Sequence, residues 1–163
     1  AMALADMFLR VEGGKQGLIK GEVSEAAHLD EIEVVGWSWG MDGSSTAFGQ
    51  ASARTSLQEL VVRKRVDSAT TALMSALRNN EVIKKATLSV RKAGGTSAVD
   101  YLRIVVEKAR VVAHTVGTAE DGSPDLVEEL RLAFFKVQVE YRSQDKLGGG
   151  KGASTFETEV QQA

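Results

Sequence analysis

Apolar residues at every second position recur along most of the chain and predict a mainly β protein. Met7, Leu9 and Val11 alternate with Phe8 and Arg10 and stop at Gly13-Gly14. Leu18–Val23 forms the next such segment, followed by a polar turn from Ser24 to Glu31. The stretch from Ile32 to Met41 holds both tryptophans and predicts a long central strand. At period two, one of its faces carries Val35, Trp37, Trp39 and Met41, and the other carries Ile32, Val34, Gly36, Ser38 and Gly40. Gly36 and Gly40 leave room on the second face for another backbone or a bend, which suits a sheet that curls on itself.

A different period appears once. After a strand marked by Leu60, Val62 and Val66, residues Ala69, Ala72, Leu73, Ala76 and Leu77 fall on one helical stripe. Asp67 or Ser68 can cap the free amides and Asn79-Asn80 tolerates a left-handed end, which predicts a helix over about 67–80. Its small side chains suit a helix laid across one opening or side of a β-barrel. Three further strands follow. Ala86, Leu88 and Val90 alternate up to a turn at Ala93-Gly94-Gly95. Then Leu102, Ile104 and Val106 share one parity while Ala109, Val111 and Ala113 take the other, and the same flip separates Leu130, Leu132 and Phe134 from Phe135, Val137, Val139 and Tyr141. A one-residue phase change keeps an apolar face inward only if a bulge or sharp bend absorbs it, so bulges are predicted near Glu107-Lys108 and Phe134-Phe135. Gly117 to Asp125, with the only proline, reads as an exposed turn. The tail from about 146 is flexible in composition, with Thr155–Val160 a short alternating strand. The chain therefore reads as a single, mainly β domain over 1–163 with one α-helix, whose bent strands turn corners between two sheets or close a barrel.

Between Met41 and the strand at Leu60 lies an extended loop, about 42–53, made of small and polar residues around one aromatic. Loops of this length inside a compact domain tend to carry function, so Asp42, Ser44, Ser45, Thr46, Phe48 and Gln50 are candidate contacts to another molecule.

Composition narrows the partners. A net charge of -2 argues against nucleic acid, which needs a local excess of cations. The cluster Arg63-Lys64-Arg65, closed by Asp67, reads as a solvated strand surface. No apolar run is long enough to insert in a membrane. With no cysteine there is no disulfide framework and no thiolate metal site or nucleophile. The N-terminal residues lack the pattern of a secretory signal, which predicts a protein made for the cytoplasm that would leave the cell only by a route needing no cleaved signal.

Catalytic, cofactor and metal sites find no support. His28 reads as an exposed, hydrogen-bonded histidine, and His114 lies far from it, neither with partners at ligand spacing. Lys151 follows three glycines, but Gly152 stands where a phosphate loop needs Ser or Thr, and Asp145 where it needs its first glycine. The serines at 38, 44 and 45 belong to no triad. The pairs Glu120-Asp121 and Glu128-Glu129 point to opposite faces of a strand and read as solvated.

Several blocks together carry a resemblance: Asp6-Met7-Phe8, Ile32-Glu33-Val34 leading into Trp37-Ser38-Trp39-Gly40-Met41, the run Leu88 to Gly95, Tyr101-Leu102, and Val137 to Tyr141. Their order and spacing, from about Asp6 to Tyr141, resemble the hemolysin-coregulated protein family, tube subunits of the bacterial type VI secretion system. The tail departs from that pattern, with Phe156 its only aromatic. The resemblance implies a β-barrel of two antiparallel sheets with one flanking α-helix, and a structural, non-enzymatic subunit without cofactors. It further implies homohexameric rings that stack into a tube, travel from the cytoplasm to the exterior or into target cells, and meet spike, sheath and small effector proteins, the last in the lumen. The 42–53 loop is then a candidate ring-to-ring contact. The rival reading is a small-ligand carrier, a closed barrel with Trp37 and Trp39 lining an internal pocket.

Overall fold

The computed structural model describes residues 6–43, 55–91, 100–144 and 150–160. In chain order they form β1 (Met7–Gly13), β2 (Gly17–Ile19), a 3-10 turn (Ala26–His28), β3 (Ile32–Ser38), β4 (Met41–Gly43), β5 (Thr55–Leu57), β6 (Leu60–Arg65), α1 (Thr70–Arg78), β7 (Ile83–Arg91), β8 (Asp100–Thr118), β9 (Leu126–Ala133), β10 (Lys136–Gln144) and β11 (Gly150–Glu159). Every strand pairing is antiparallel. The pairings β1–β3, β3–β6, β6–β9, β9–β8, β8–β7 and β7–β1 close on themselves, which makes a barrel; β10 and β11 branch outward from β8.

The barrel closes because two strands turn corners. At β8, Lys108 adopts a positive φ of 50°. There the strand changes partner along one edge, pairing with β10 through Glu107 and with β9 from Arg110. Facing it, Phe134 and Phe135 leave the ladder between β9 and β10, and the Phe135 amide is shared by the Glu107 and Lys108 carbonyls at 3.1 and 3.2 Å. A bend at these two places keeps Ile104 and Val106 inward before it and Ala109 and Val111 inward after it, all at most 3% exposed. A second bulge, at Val112, sets Ala113 opposite Arg131 and turns the His114 ring inward.

The tryptophan strand differs from its sequence reading. Its pairing with β6 skips Val35, since Val34 lies opposite Lys64 and Gly36 opposite Arg63. This bulge reverses the side-chain parity: Ile32 and Val34 face the core, Trp37 and Trp39 pack against it, and Val35 and Met41 are exposed. The expected grouping of Val35 with the tryptophans therefore fails by one residue, and Met41 parts from them because it belongs to β4, paired with Leu57 of β5. Gly36 is approached not by backbone but by a side chain, with Arg63 Nη2 2.7 Å from where a Cβ would stand. The strand expected over Leu18–Val23 is shorter, because Gly21 and Val23 leave β1 to bond the Asp30 and Glu31 carbonyls. The tail from 146 contains β11, which pairs with β10 along most of its length and so is ordered over 150–159.

The core is aliphatic. Leu9, Val11, Ile32, Leu60, Val62, Leu73, Ile83, Leu88, Leu130 and Leu132 are fully buried, each contributing about 1.5–3 kcal/mol relative to exposure. The helix begins three residues later than its sequence placement, because Asp67 is its lead rather than its first turn. Asp67 Oδ1 accepts from the Ala69 amide at 2.9 Å, and Thr70 Oγ1 accepts from the Asp67 amide at 3.0 Å. The buried side of α1 is Thr70, Leu73 and Ala76, and it packs on β8 at one end of the barrel.

Candidate functional site

Polar groups that sequence reading left in solvent form an enclosed cluster inside the barrel. Lys64 on β6 is fully buried and Glu128 on β9 is 1% exposed. Their register puts them side by side on the inner face. The Lys64 ammonium donates to Glu128 Oε1, to Asp67 Oδ1 at 2.7 Å and to Thr70 Oγ1 at 3.2 Å. The Thr70 hydroxyl donates to Glu128 Oε1, and His114 Nε2 lies 2.7 Å from Glu128 Oε2 and donates to it. Burial works to raise the Glu128 pKa, but donors from Lys64, Thr70 and His114 outweigh it and hold the carboxyl below its ordinary value. The expected solvated readings of Lys64 and Glu128 are thus corrected; Arg63, Arg65, Glu120 and Asp121 do lie at the exposed surface. The cluster ties the start of α1 to β6, β8 and β9, so it is a structural seal.

Two smaller polar sites serve the same end. Glu81, 3% exposed, accepts at Oε2 from the Lys15 and Gln16 amides at 3.0 and 2.9 Å and so holds the β1–β2 turn. His28 is buried rather than exposed: it stacks on Phe8 at 4.0 Å, with Glu31 and Asp100 at 2.9 and 3.1 Å from its two nitrogens. No group of three or more potential metal ligands occurs among the described residues.

The surfaces left open lie elsewhere. Strands β4 and β5 form a separate two-stranded ribbon, with Asp42 opposite Ser56 and all three β4 residues exposed. It is anchored by Trp39 Nε1 donating to the Gln58 carbonyl at 2.8 Å and by Gln58 Nε2 donating to Asp42 Oδ2 at 2.9 Å. Of the candidate loop residues, Asp42 sits on this ribbon; Ser44, Ser45, Thr46, Phe48 and Gln50 lie outside the described residues.

The second open surface is the β10–β11 hairpin, which sequence analysis undervalued because glycines preceded it. It continues the sheet past the core, and its last strand, β11, has no strand on its outer edge among the described residues. Along one face Val137 is buried, but Tyr141 and Phe156 are 46% and 43% exposed. Tyr101 meets Tyr141 edge-on at 6.4 Å. A partly apolar ribbon with an unpaired edge is a template for another chain.

A sealed barrel with a packed interior, an exposed ribbon and an open sheet edge defines a protein–protein building block. Comparison with known proteins gives the class its identity. Residues 8–141 match the family model for the type VI secretion system effector Hcp, and the chain belongs to that family. It is 35% identical over 151 residues to protein hcp1 of Pseudomonas aeruginosa, covering 90% of this chain and 89% of that one. Among solved structures, it resembles Hcp1 from Salmonella typhimurium, with 27% identity, a TM-score of 0.72, and 96% and 95% of the two chains covered. A structure described as a type six secretion system protein shares the fold at a TM-score of 0.82 with 21% identity, covering 96% of each chain. The chain is therefore a tube subunit of a type VI secretion system, a secreted structural protein and not an enzyme. No helix among the described residues is long and apolar enough to cross a membrane.

Proposed function

We propose that this subunit closes into homohexameric rings through the β10–β11 hairpin, and that the rings stack through the 42–53 loop to build the tube. The rings are made in the cytoplasm and leave with the spike when the sheath acts, with small effector proteins held in the lumen. The observation that carries this reading is the hairpin itself, whose exposed Tyr141 and Phe156 and β11 edge meet no partner strand among the described residues. A repeated head-to-tail contact of this kind yields a closed ring when its rotation permits. Asp42, Ser44, Ser45, Thr46, Phe48 and Gln50 are the proposed stacking residues. The carrier reading has less to support it, because the barrel interior is filled by the aliphatic core and Trp37 and Trp39 pack against that core. Removal of residues 44–53 tests the loop: negative-stain microscopy is expected to show intact rings and no tubes, and unchanged tubes would overturn its role.

A further inference from the structure

Between β2 and β3 the chain leaves the barrel wall and folds over its outside. β2 pairs with β1 at Ile19 opposite Val11, and β3 rejoins β1 at Ile32 opposite Leu9. Residues 20–31 form a strap between these points, closed on itself where the Gly21 and Val23 amides donate to the Asp30 and Glu31 carbonyls at 2.8 and 3.1 Å. Beneath it lies Phe8, opposite in parity to the core residues Leu9 and Val11 and so on the outward face of β1, yet fully buried. Ser89, across from Phe8 on β7, is buried as well. The cover is the strap itself: the His28 ring stacks on Phe8 with centroids 4.0 Å apart and planes 6° from parallel.

The strap is tied down along its length. Near its start, the Ser68 amide donates to Glu22 Oε2 at 2.7 Å and the Ser68 hydroxyl to the Lys20 carbonyl at 3.2 Å. In its middle, Arg91 of β7 donates from Nη2 to Glu25 Oε1 at 2.7 Å. Near its end, His28 has Nδ1 2.9 Å from Glu31 Oε1 and Nε2 3.1 Å from Asp100 Oδ1 at the start of β8. This last tie differs in kind. Both ring nitrogens face carboxylate oxygens, and a neutral imidazole has a single N–H. It can donate to one of them and turns a lone pair toward the other, whereas the doubly protonated ring donates to both. The three side chains are only 6%, 12% and 13% exposed, so little water stands between them. The other charges around them are paired among themselves. Arg91, which also lies 5.1 Å from the Phe8 ring, pairs with Glu25 and Asp6, and Arg103 lies 3.4 Å from the second oxygen of Asp100.

We propose that His28 is a pH-sensitive clasp on this strap, which lies shut over Phe8 while the ring carries both protons and opens locally, with the barrel intact, once one of them leaves. Rising pH removes that proton and sets a lone pair against a carboxylate. Below about pH 4 the carboxylates themselves take up protons and the clasp weakens from that side too. Hydrogen exchange of the purified protein, read by mass spectrometry and corrected for the intrinsic pH dependence of amide exchange, tests this. From about pH 5.5 to about pH 8, protection over 20–31 is expected to fall about tenfold or more while that of β6 and β9 stays constant. Asp100→Asn supplies an amide that can donate to the Nε2 lone pair of the neutral ring, so this variant is expected to keep the strap protected at the higher pH. His28→Gln is expected to show low strap protection that does not vary with pH over this range. Strap protection that is unchanged by pH in the wild type overturns the clasp, as does an Asp100→Asn variant that opens as the wild type does. Loss of protection in β6 and β9 together with the strap also overturns it, because the whole barrel would then be responding.

Discussion

The seal under α1 and the β10–β11 overhang handle the same problem, a sheet running past its core, in opposite ways. Under α1, every polar group brought inside has a partner: Lys64 contacts Asp67, Thr70 and Glu128, and Glu128 also takes the His114 ring. At the overhang, apolar rings and a strand edge are left to solvent. The first arrangement stabilises the subunit by itself, and the second leaves apolar surface and a strand edge that assembly would cover. Substitutions should therefore separate folding from assembly.

The largest effect on folding belongs to the seal. Glu128→Ala leaves the Lys64 ammonium buried without its carboxylate partner, and a loss of about 3–5 kcal/mol is expected in denaturant unfolding. A loss under 1 kcal/mol would show that water reaches the cluster. The pH dependence sharpens the same point. Glu128 titrates below its ordinary value in the fold, and so does Glu81, whose burial is outweighed by donors from Gln16 and Lys15. The unfolded chain therefore takes up protons first as pH falls. Stability from both groups is complete above the ordinary glutamate pKa of about 4.3 and is lost as pH drops through their lower folded values. Urea midpoints measured downward from pH 6 should decline from about pH 5, and less steeply in Glu128→Gln.

The comparison also explains which parts of the molecule were legible in the sequence. The phase flips at Glu107-Lys108 and Phe134-Phe135 were readable because long aliphatic rows lie on both sides of each bend. The bulge at Val35 was hidden because Val35, Trp37 and Met41 form a plausible apolar row, and only the register with β6 shows that the row is broken. Lys64 and Glu128 were read as surface for a similar reason. A charged residue at an inward parity is identified only when its partners, contributed by β8, β9 and the start of α1, are brought together by the fold. His28 followed the same rule in part: Glu31 lies three residues on, but its second carboxylate partner, Asp100, lies 72 residues away. The overhang was legible in part: Thr155–Val160 read as a strand, but Leu147-Gly148-Gly149-Gly150 suggested a linker, whereas pairing with β10 carries β11 back to Gly150. The 42–53 loop was marked as a candidate contact by composition alone.

The smallest expected effect on folding, and the largest on assembly, falls on the overhang. Phe156→Asp alters a residue that is 43% exposed, and surface changes of this kind usually shift stability by less than about 0.5 kcal/mol. Light scattering of wild type and Phe156→Asp tests the central claim most directly. Wild type is expected at six times the 17.4 kDa chain mass and the folded variant at a single chain mass. A wild type that stays monomeric at every concentration, or a variant that still forms the full ring, would contradict the account.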